Sequence, residues 1–277
     1  MMAQGAAAAG CCCAGAPASA RQPLNDEMFC SCMLTGMQDY ERAMGPYKSA
    51  LFSDEHVVGD TVVEVGIGAG VNLPYYLHGA AGARRVIGVD PNASMREHAA
   101  RTAAEVGGAG ASFEAVSGRA ERLPFDDGSV DCVISTLVMC SVNDVPATIR
   151  EVGRVLRPGG RWIFIEHTLA DAADYGALLP TLQRACDPLQ RGFFGCTLLG
   201  DPGRLILESG DRFGFRGVAL ERFHLQRIPD APMGGETVPA GEFLMHREVS
   251  EDDRAMRFHP GLPHFLLSPH LAGILVK

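Results

Sequence analysis

The residues with chemical capacity fall into two groups. The first is Gly66-Ile67-Gly68-Ala69-Gly70, which follows a β-branched run at 61–65, together with Asp90 about 20 residues further on. A strand that bends through glycines into a helix presents backbone N–H groups at the helix N-terminus. The anionic end of a ligand can bind there, and the missing side chains let it reach the main chain. An acid at the end of the following strand can accept both hydroxyls of a ribose. Each feature also has a plain structural reading, since glycines serve any sharp turn and Asp90 before Pro91 can be a turn former. Val71 stands where a dinucleotide fingerprint needs Gly or Ala, so the spacing suits a single nucleoside better than a pyrophosphate.

The second group is His167, Asp187 and Cys196. His167 ends an apolar strand, where open α/β sheets place their ligands, and imidazole titrates near neutrality, as a general base must. Its bland alternative is a histidine bonded to neighbouring backbone. Glu166 alternates to the other face of the same strand, so one of the pair faces a site there. Asp187 precedes Pro188 and reads equally as a turn former, and Cys196 equally as a small core residue. Tyr75 and Tyr76 either line a ligand pocket or pack a helix on the sheet. The histidines at 224, 246, 259, 264 and 270 lack tight ligand spacing, and the nine cysteines, which include the run Cys11-Cys12-Cys13, contain no CxxC pair. No metal site and no disulfide framework is expected, and a reducing compartment follows.

These groups need a scaffold. Short apolar runs at 61–65, 85–89, 112–116, 130–137 and 161–167 read as strands, and helical spacing separates them at 71–76, 92–106 and 144–156. Regular alternation of this kind predicts an α/β fold with a parallel sheet covered on both faces. Ahead of it, 33–52 reads as one or two helices interrupted at Gly45-Pro46, and Arg157-Pro158-Gly159-Gly160 reads as the stop between a helix and the fifth strand. Beyond it, 177–186 and 203–209 look helical, 217–228 and 272–277 look like strands, and 229–267 reads as a long loop or lid.

A chain of 277 residues, 47% hydrophobic and 21% charged, is most simply one elaborated domain. We divide it into a disordered Ala/Cys-rich tail at 1–32 and a domain at 33–277. Within the domain, 33–60 supplies N-terminal helices, 61–167 the nucleoside-binding core, and 168–277 the side that receives a second substrate. The net charge of -9 excludes a broad surface for nucleic acid, which needs clustered cations against phosphates, and leaves a small molecule as the partner. No apolar run approaches the roughly 20 residues of a membrane-spanning helix. Residues 1–20 carry no charge and so lack both a basic signal region and an Arg-rich transit pattern. A cytoplasmic location is expected. Acyl chains on Cys11-Cys12-Cys13 would instead tether the protein peripherally to a membrane, and an organelle presequence is a third reading.

In order along 61–167, these motifs resemble those of class I S-adenosylmethionine-dependent methyltransferases. Val63-Glu64-Val65-Gly66-Ile67-Gly68-Ala69-Gly70 resembles their first motif and Gly88-Val89-Asp90 their ribose-binding motif. Ala120-Glu121-Arg122-Leu123-Pro124-Phe125, with Asp127-Gly128-Ser129-Val130-Asp131, resembles the adenine-side loop and fourth strand, and Arg157-Pro158-Gly159-Gly160 the turn after the fourth helix. A narrower resemblance, to the methyltransferase-like thiol S-methyltransferases, rests on Thr136-Leu137-Val138, Cys140-Ser141-Val142, Glu166-His167, Asp187-Pro188, Gly195-Cys196 and the ending at Lys277.

The resemblance implies a Rossmann-like, doubly wound sheet, mostly parallel with an antiparallel last strand, whose final two strands come from 217–228 and 272–277. It implies S-adenosyl-L-methionine as methyl donor, held by Glu64, Gly66, Gly68, Gly70 and Asn72 on one side and by Asp90, Pro91, Ala120, Glu121 and Thr136 on the other. Arg119 stands where many such enzymes have an acid, which leaves the adenine to the Ala120 backbone and Glu121. Catalytic roles fall to His167, Asp187 and Cys196, and the acceptor is a small thiol. A quinol or another lipid-like carbon or oxygen nucleophile is the alternative acceptor. From outside enzymology, a donor-binding scaffold without catalysis is the rival.

Overall fold

The computed structural model describes residues 26–77, 83–107, 111–215, 217–224 and 269–277. The cysteine run at 11–13, the expected loop at 229–267 and the histidines at 246, 259 and 264 lie outside these residues. Two helices come first, α1 (Asp26–Gly36) and α2 (Gln38–Leu51), and the alternating core follows. That core is β1 (Thr61–Val65), α3 (Leu73–Tyr76), β2 (Arg85–Val89), α4 (Ala93–Val106), β3 (Ser112–Val116), β4 (Val130–Thr136), α5 (Val145–Val155) and β5 (Leu156–His167). The chain closes with α6 (Ala172–Tyr175), α7 (Leu178–Phe194), α8 (Pro202–Ser209), a 3-10 turn (Gly210–Phe213), β6 (Gly217–His224) and β7 (Pro269–Val276).

The seven strands form one sheet in the order β3-β2-β1-β4-β5-β7-β6. The first five pair in parallel, and β7 runs antiparallel between β5 and β6. Alternation along each strand sends side chains to two opposite cores. On one face Val62, Ile134, Ile163 and Ile165 pack with Tyr40, Met44 and Phe52. On the other Val63, Ile87, Val133, Trp162 and Phe164 pack with Ile149, Val152 and Phe215. The expected doubly wound, mostly parallel sheet with an antiparallel last strand is the observed one. No helix among the described residues is long and apolar enough to cross a membrane.

The helix starts follow cap chemistry. Asn92 accepts from Met95 N at 3.1 Å to open α4, and Asp144 accepts from Ala147 N at 2.9 Å to open α5. Four expectations need correction. The tail expected at 1–32 does not extend over 26–32, because α1 begins at Asp26 and Cys30 is buried among Ala69 and Met95. The break expected at Gly45-Pro46 falls at Met37, and Pro46 lies inside α2. One missing N–H there is outweighed by a continuous buried face of Tyr40, Met44, Tyr47 and Leu51. Asp187-Pro188 likewise lies inside α7, where Leu179, Gln183 and Asp187 make the buried stripe. The stop at Arg157-Pro158-Gly159-Gly160 is drawn into β5, because Gly159 N donates to Lys277 O and Lys277 N to Gly160 O, at 2.8 and 3.0 Å.

Candidate functional site

Strand order reverses between β1 and β4, and such a switch point leaves a crevice beyond the strands' C-terminal ends. A cavity of about 780 Å³ occupies it, within the range of ligand sites. Its floor is the glycine turn. Gly66 N and Ile67 N donate to Val89 O at 2.8 and 3.1 Å, which ties the turn to β2. Gly66 has φ +67°, and a Cβ there would stand 2.5 Å from Val138 Cγ2. Gly68, at φ +52°, lines the cavity, and a Cβ on it would meet only Gly66 O, at 3.9 Å.

Asp90 joins both sides of the floor. One carboxylate oxygen accepts from Gly68 N at 3.1 Å and the other from Asn92 N at 2.8 Å. A carboxylate oxygen has two lone-pair sites, so this bracing is compatible with bonds to a diol. Pro91, Ala120 and Glu121 continue the wall, and Glu121 accepts from Asn143 N at 2.7 Å.

At the end of β1, Glu64 is buried and accepts from Asn72 Nδ2 at 2.6 Å and from the Tyr76 hydroxyl. Asn72 Nδ2 also donates to Thr136 Oγ1 at 3.1 Å. Both amide protons are thereby used, and Asn72 Oδ1 is left buried without a partner in the cavity wall. A lone acceptor of this kind fits an ammonium group. Neither tyrosine is in the wall: Tyr76 is fully buried and Tyr75 packs on Phe52.

Burial pushes the Glu64 carboxyl up from 4.5 to about 7, against the hydrogen bonds from Tyr76 and Asn72 and the field of Lys48, with Glu41 adding to the rise. Between those values the folded chain binds a proton that the unfolded chain releases. Glu64 therefore contributes stability that is full below about 4.5 and is lost as pH rises through about 7. In denaturant titrations Glu64→Gln, which cannot titrate, should gain stability relative to the parent across that window. A difference that stays flat with pH would contradict the assignment.

The rest of the wall comes from two places. Phe29, Met33, Leu34 and Met37 of α1 and the break after it make an apolar side, and Leu137, Val138, Val142 and Phe194 make another. Leu137 has φ +56°, unusual for a branched residue, and is held there by its N–H bond to Ile165 O at 2.8 Å. Glu166 secures the same turn, accepting from Val138 N at 3.0 Å and Met139 N at 3.1 Å. Burial, then Cys140, push the Glu166 carboxyl up to about 8.

Of the residues expected at the donor site, Glu64, Gly66, Gly68, Asn72, Asp90, Pro91, Ala120, Glu121 and Thr136 line this one cavity. Gly70 does not. A Cβ on it would stand 2.8 Å from Leu73 Cδ1 and 3.1 Å from Ala99 Cα, so its bareness serves the packing of α3 against α4. His167, Asp187 and Cys196 are also outside the wall. His167 Nε2 faces Cys196 Sγ at 3.2 Å. Asp187 accepts from Thr197 Oγ1 and Leu198 N, at 2.7 and 2.8 Å, and from Arg191 Nε at 2.7 Å, so it positions the loop that carries Cys196. His270 is buried against the Tyr40 hydroxyl at 3.0 Å, a structural role. The reading of spacing missed the α1 wall, the Glu166 clamp and Cys140, which lies with His167 and Cys196. The helical spacing around Phe29 and Met33 was the available signal for the first.

Residues 63–164 match the methyltransferase domain family. The human thiol S-methyltransferase TMT1A is 32% identical over 214 residues, covering 72% of this chain and 77% of the relative. Human thiol S-methyltransferase TMT1B is 32% identical over 234 residues, covering 82% and 88%. Among solved structures, the methyltransferase in complex with the Haloferax volcanii Trm112 methyltransferase activator shares the fold at a TM-score of 0.56 and 21% identity, covering 90% of this chain and 96% of that one. With the switch-point cavity, its glycine floor and Asp90, these likenesses show that the chain belongs to the S-adenosylmethionine-dependent methyltransferases, in the group that holds the thiol S-methyltransferases.

Proposed function

We propose that the chain transfers a methyl group from S-adenosyl-L-methionine to the sulfur of a small, apolar thiol. The observation that carries this reading is one cavity lined by two unlike kinds of residue. Asp90 and the unpartnered Asn72 Oδ1 give it polar anchors, and Met33, Leu34, Met37, Val142 and Phe194 give it apolar wall. The thiol S-methyltransferase relatives support sulfur as the acceptor atom.

The donor, when bound, supplies a methyl carbon on a positively charged sulfur. Asp90 accepts the ribose hydroxyls, Asn72 Oδ1 accepts from the ammonium group, and the Ala120 backbone with Glu121 meets the adenine. Methyl transfer is an in-line displacement, so the chain's main work is alignment and exclusion of water. The apolar wall does both, since it has few groups to retain solvent and holds an alkyl chain by contact. His167 is not a direct base in this scheme, because it is outside the cavity wall and its Nε2 stands 3.2 Å from Cys196 Sγ. Labelled donor offered with a series of alkyl thiols and, separately, of quinols provides the test. Turnover on thiols that rises with chain length is expected. Donor binding with turnover on quinols alone, or on neither series, would overturn the thiol reading, and the second result would favour the scaffold.

A further inference from the structure

Cys140, His167 and Cys196 form a second constellation, which the donor does not need. They come from three separate elements: the turn after β4, the last residue of β5 and the loop after α7. Their donor atoms all lie within 4.8 Å of one another. All three residues are buried, at 8%, 3% and 8% exposure respectively. Two thiols and an imidazole are the donor set of thiophilic, tetrahedral cations. Zinc bonds of about 2.3 Å to sulfur and about 2.0 Å to nitrogen would set neighbouring ligand atoms about 3.5–3.8 Å apart. The cluster spans that distance, and His167 Nε2 already stands 3.2 Å from Cys196 Sγ.

An ordinary core cysteine looks different. Cys132 is fully buried in the apolar core and belongs to no such cluster of ligand atoms. The backbone beside Cys140 and Cys196 is instead fixed by buried carboxylates. Glu166 holds Val138 N and Met139 N just before Cys140, and Asp187 holds Thr197 and Leu198 just after Cys196. Among the described residues no fourth Cys, His, Asp or Glu joins the group, which leaves one corner of a tetrahedron for an outside ligand. Ser141 and Gly195, the chain neighbours of the two cysteines, are in the cavity wall, so two of the three ligands lie one residue from the cavity.

We propose that Cys140, His167 and Cys196 hold one zinc ion whose fourth ligand is the sulfur of the acceptor thiol. This departs from the expectation of no metal, which rested on spacing along the chain. The second half of the proposal rests on the thiol reading above. Loading releases the two cysteine protons to solvent, and the acceptor releases its own on binding. A lone pair of the zinc-bound sulfur then forms the new S–CH₃ bond. The electrons of the breaking C–S⁺ bond return to the donor's sulfur, which becomes neutral. The thioether product is a neutral, weaker ligand and leaves.

The full chain, stripped with chelator under reducing conditions, is titrated with Zn²⁺ against a chromophoric chelator. One ion per chain is expected. Cys140→Ser and Cys196→Ser should each weaken it at least about 100-fold, beyond the loss typical of outer-shell changes. Replacing Cys11, Cys12 and Cys13 together by Ser should leave the stoichiometry unchanged. Calorimetry with the donor on every variant shows that the fold and donor site persist. Zinc uptake no greater in the parent than in both single variants overturns the site. With Co²⁺ in place of zinc, a thiolate-to-metal absorption band should appear and the visible bands should shift when an alkyl thiol is added. Visible bands that ignore the thiol overturn acceptor coordination. Zinc bound with no thiol methylated in the panel would sink the thiol reading while the metal site stood.

Discussion

Replacing Asp90 by Ala is expected to weaken donor binding by roughly 10²- to 10³-fold. Under the proposed assignment the carboxylate loses two hydrogen bonds to ribose hydroxyls. Bonds to a charged partner contribute about 1.5–3 kcal/mol each, so two at the lower end of that figure already give about 10²-fold or more. The carboxylate also braces Gly68 N and Asn92 N, and Ala leaves both without it, loosening the floor on which the donor's other end rests. Asp90→Asn keeps one acceptor oxygen and should fall between the parent and Ala. Calorimetry with the donor and with its demethylated product measures both, while the unfolding midpoint reports on the fold. A loss below about threefold in a folded Asp90→Ala chain would remove Asp90 from the site.

Gly66→Ala should cost about 2–4 kcal/mol of stability and most of the donor affinity. The left-handed backbone at φ +67° accounts for about 1–2 kcal/mol of this in a non-glycine residue. Overlap with Val138 Cγ2, 2.5 Å from the added carbon, accounts for the remainder. Val138 has little room to retreat, because its own N–H and that of Met139 are tied to Glu166. The double variant Gly66→Ala with Val138→Ala separates the two causes. It should recover the overlap part and leave the backbone part, so the two changes should couple by about 1–3 kcal/mol in denaturant titrations. Strict additivity would show that the turn relaxes in some other way.

Local signals accounted for most of the sheet. β1, β2 and β3 fall on the expected runs at 61–65, 85–89 and 112–116, and Asn92 and Asp144 cap the helices their types suggest. The errors cluster where tertiary packing overrides a local preference. Pro46 and Pro188 are helix breakers by chemistry, yet Pro46 sits in a helix whose buried face continues on both sides, and Pro188 follows directly on the buried stripe of α7 that ends at Asp187. Arg157-Pro158-Gly159-Gly160 is a stop until Lys277, far away in sequence, supplies the bonds that make it strand. The donor site was legible because its parts are local: glycines between a strand and a helix, then an acid one strand later. The Cys140, His167 and Cys196 cluster was not, because its members are held together by the ends of two strands and a helix rather than by spacing. Asp187 shows the same limit. Its type suggested chemistry, and only the fold shows its oxygens occupied by Thr197, Leu198 and Arg191.

The position of β7 bears on how the chain is made. It fills the gap between β5 and β6, its register with β5 running from Arg161↔Val276 to His167↔His270, and Lys277 completes the bonding to Gly159 and Gly160. During synthesis the strands that carry the glycine turn and Asp90 emerge first and can pair with one another. The far edge of β5 stays bare until residues 269–277 leave the ribosome, and β6 has no β7 to join before then. A nascent chain, or one that lacks β7, thus presents Trp162, Phe164 and the β5 backbone as an open strand edge, the kind of surface on which chains stick to one another. Emergence of residues 269–277 is the step that turns a sticky half-sheet into a paired one.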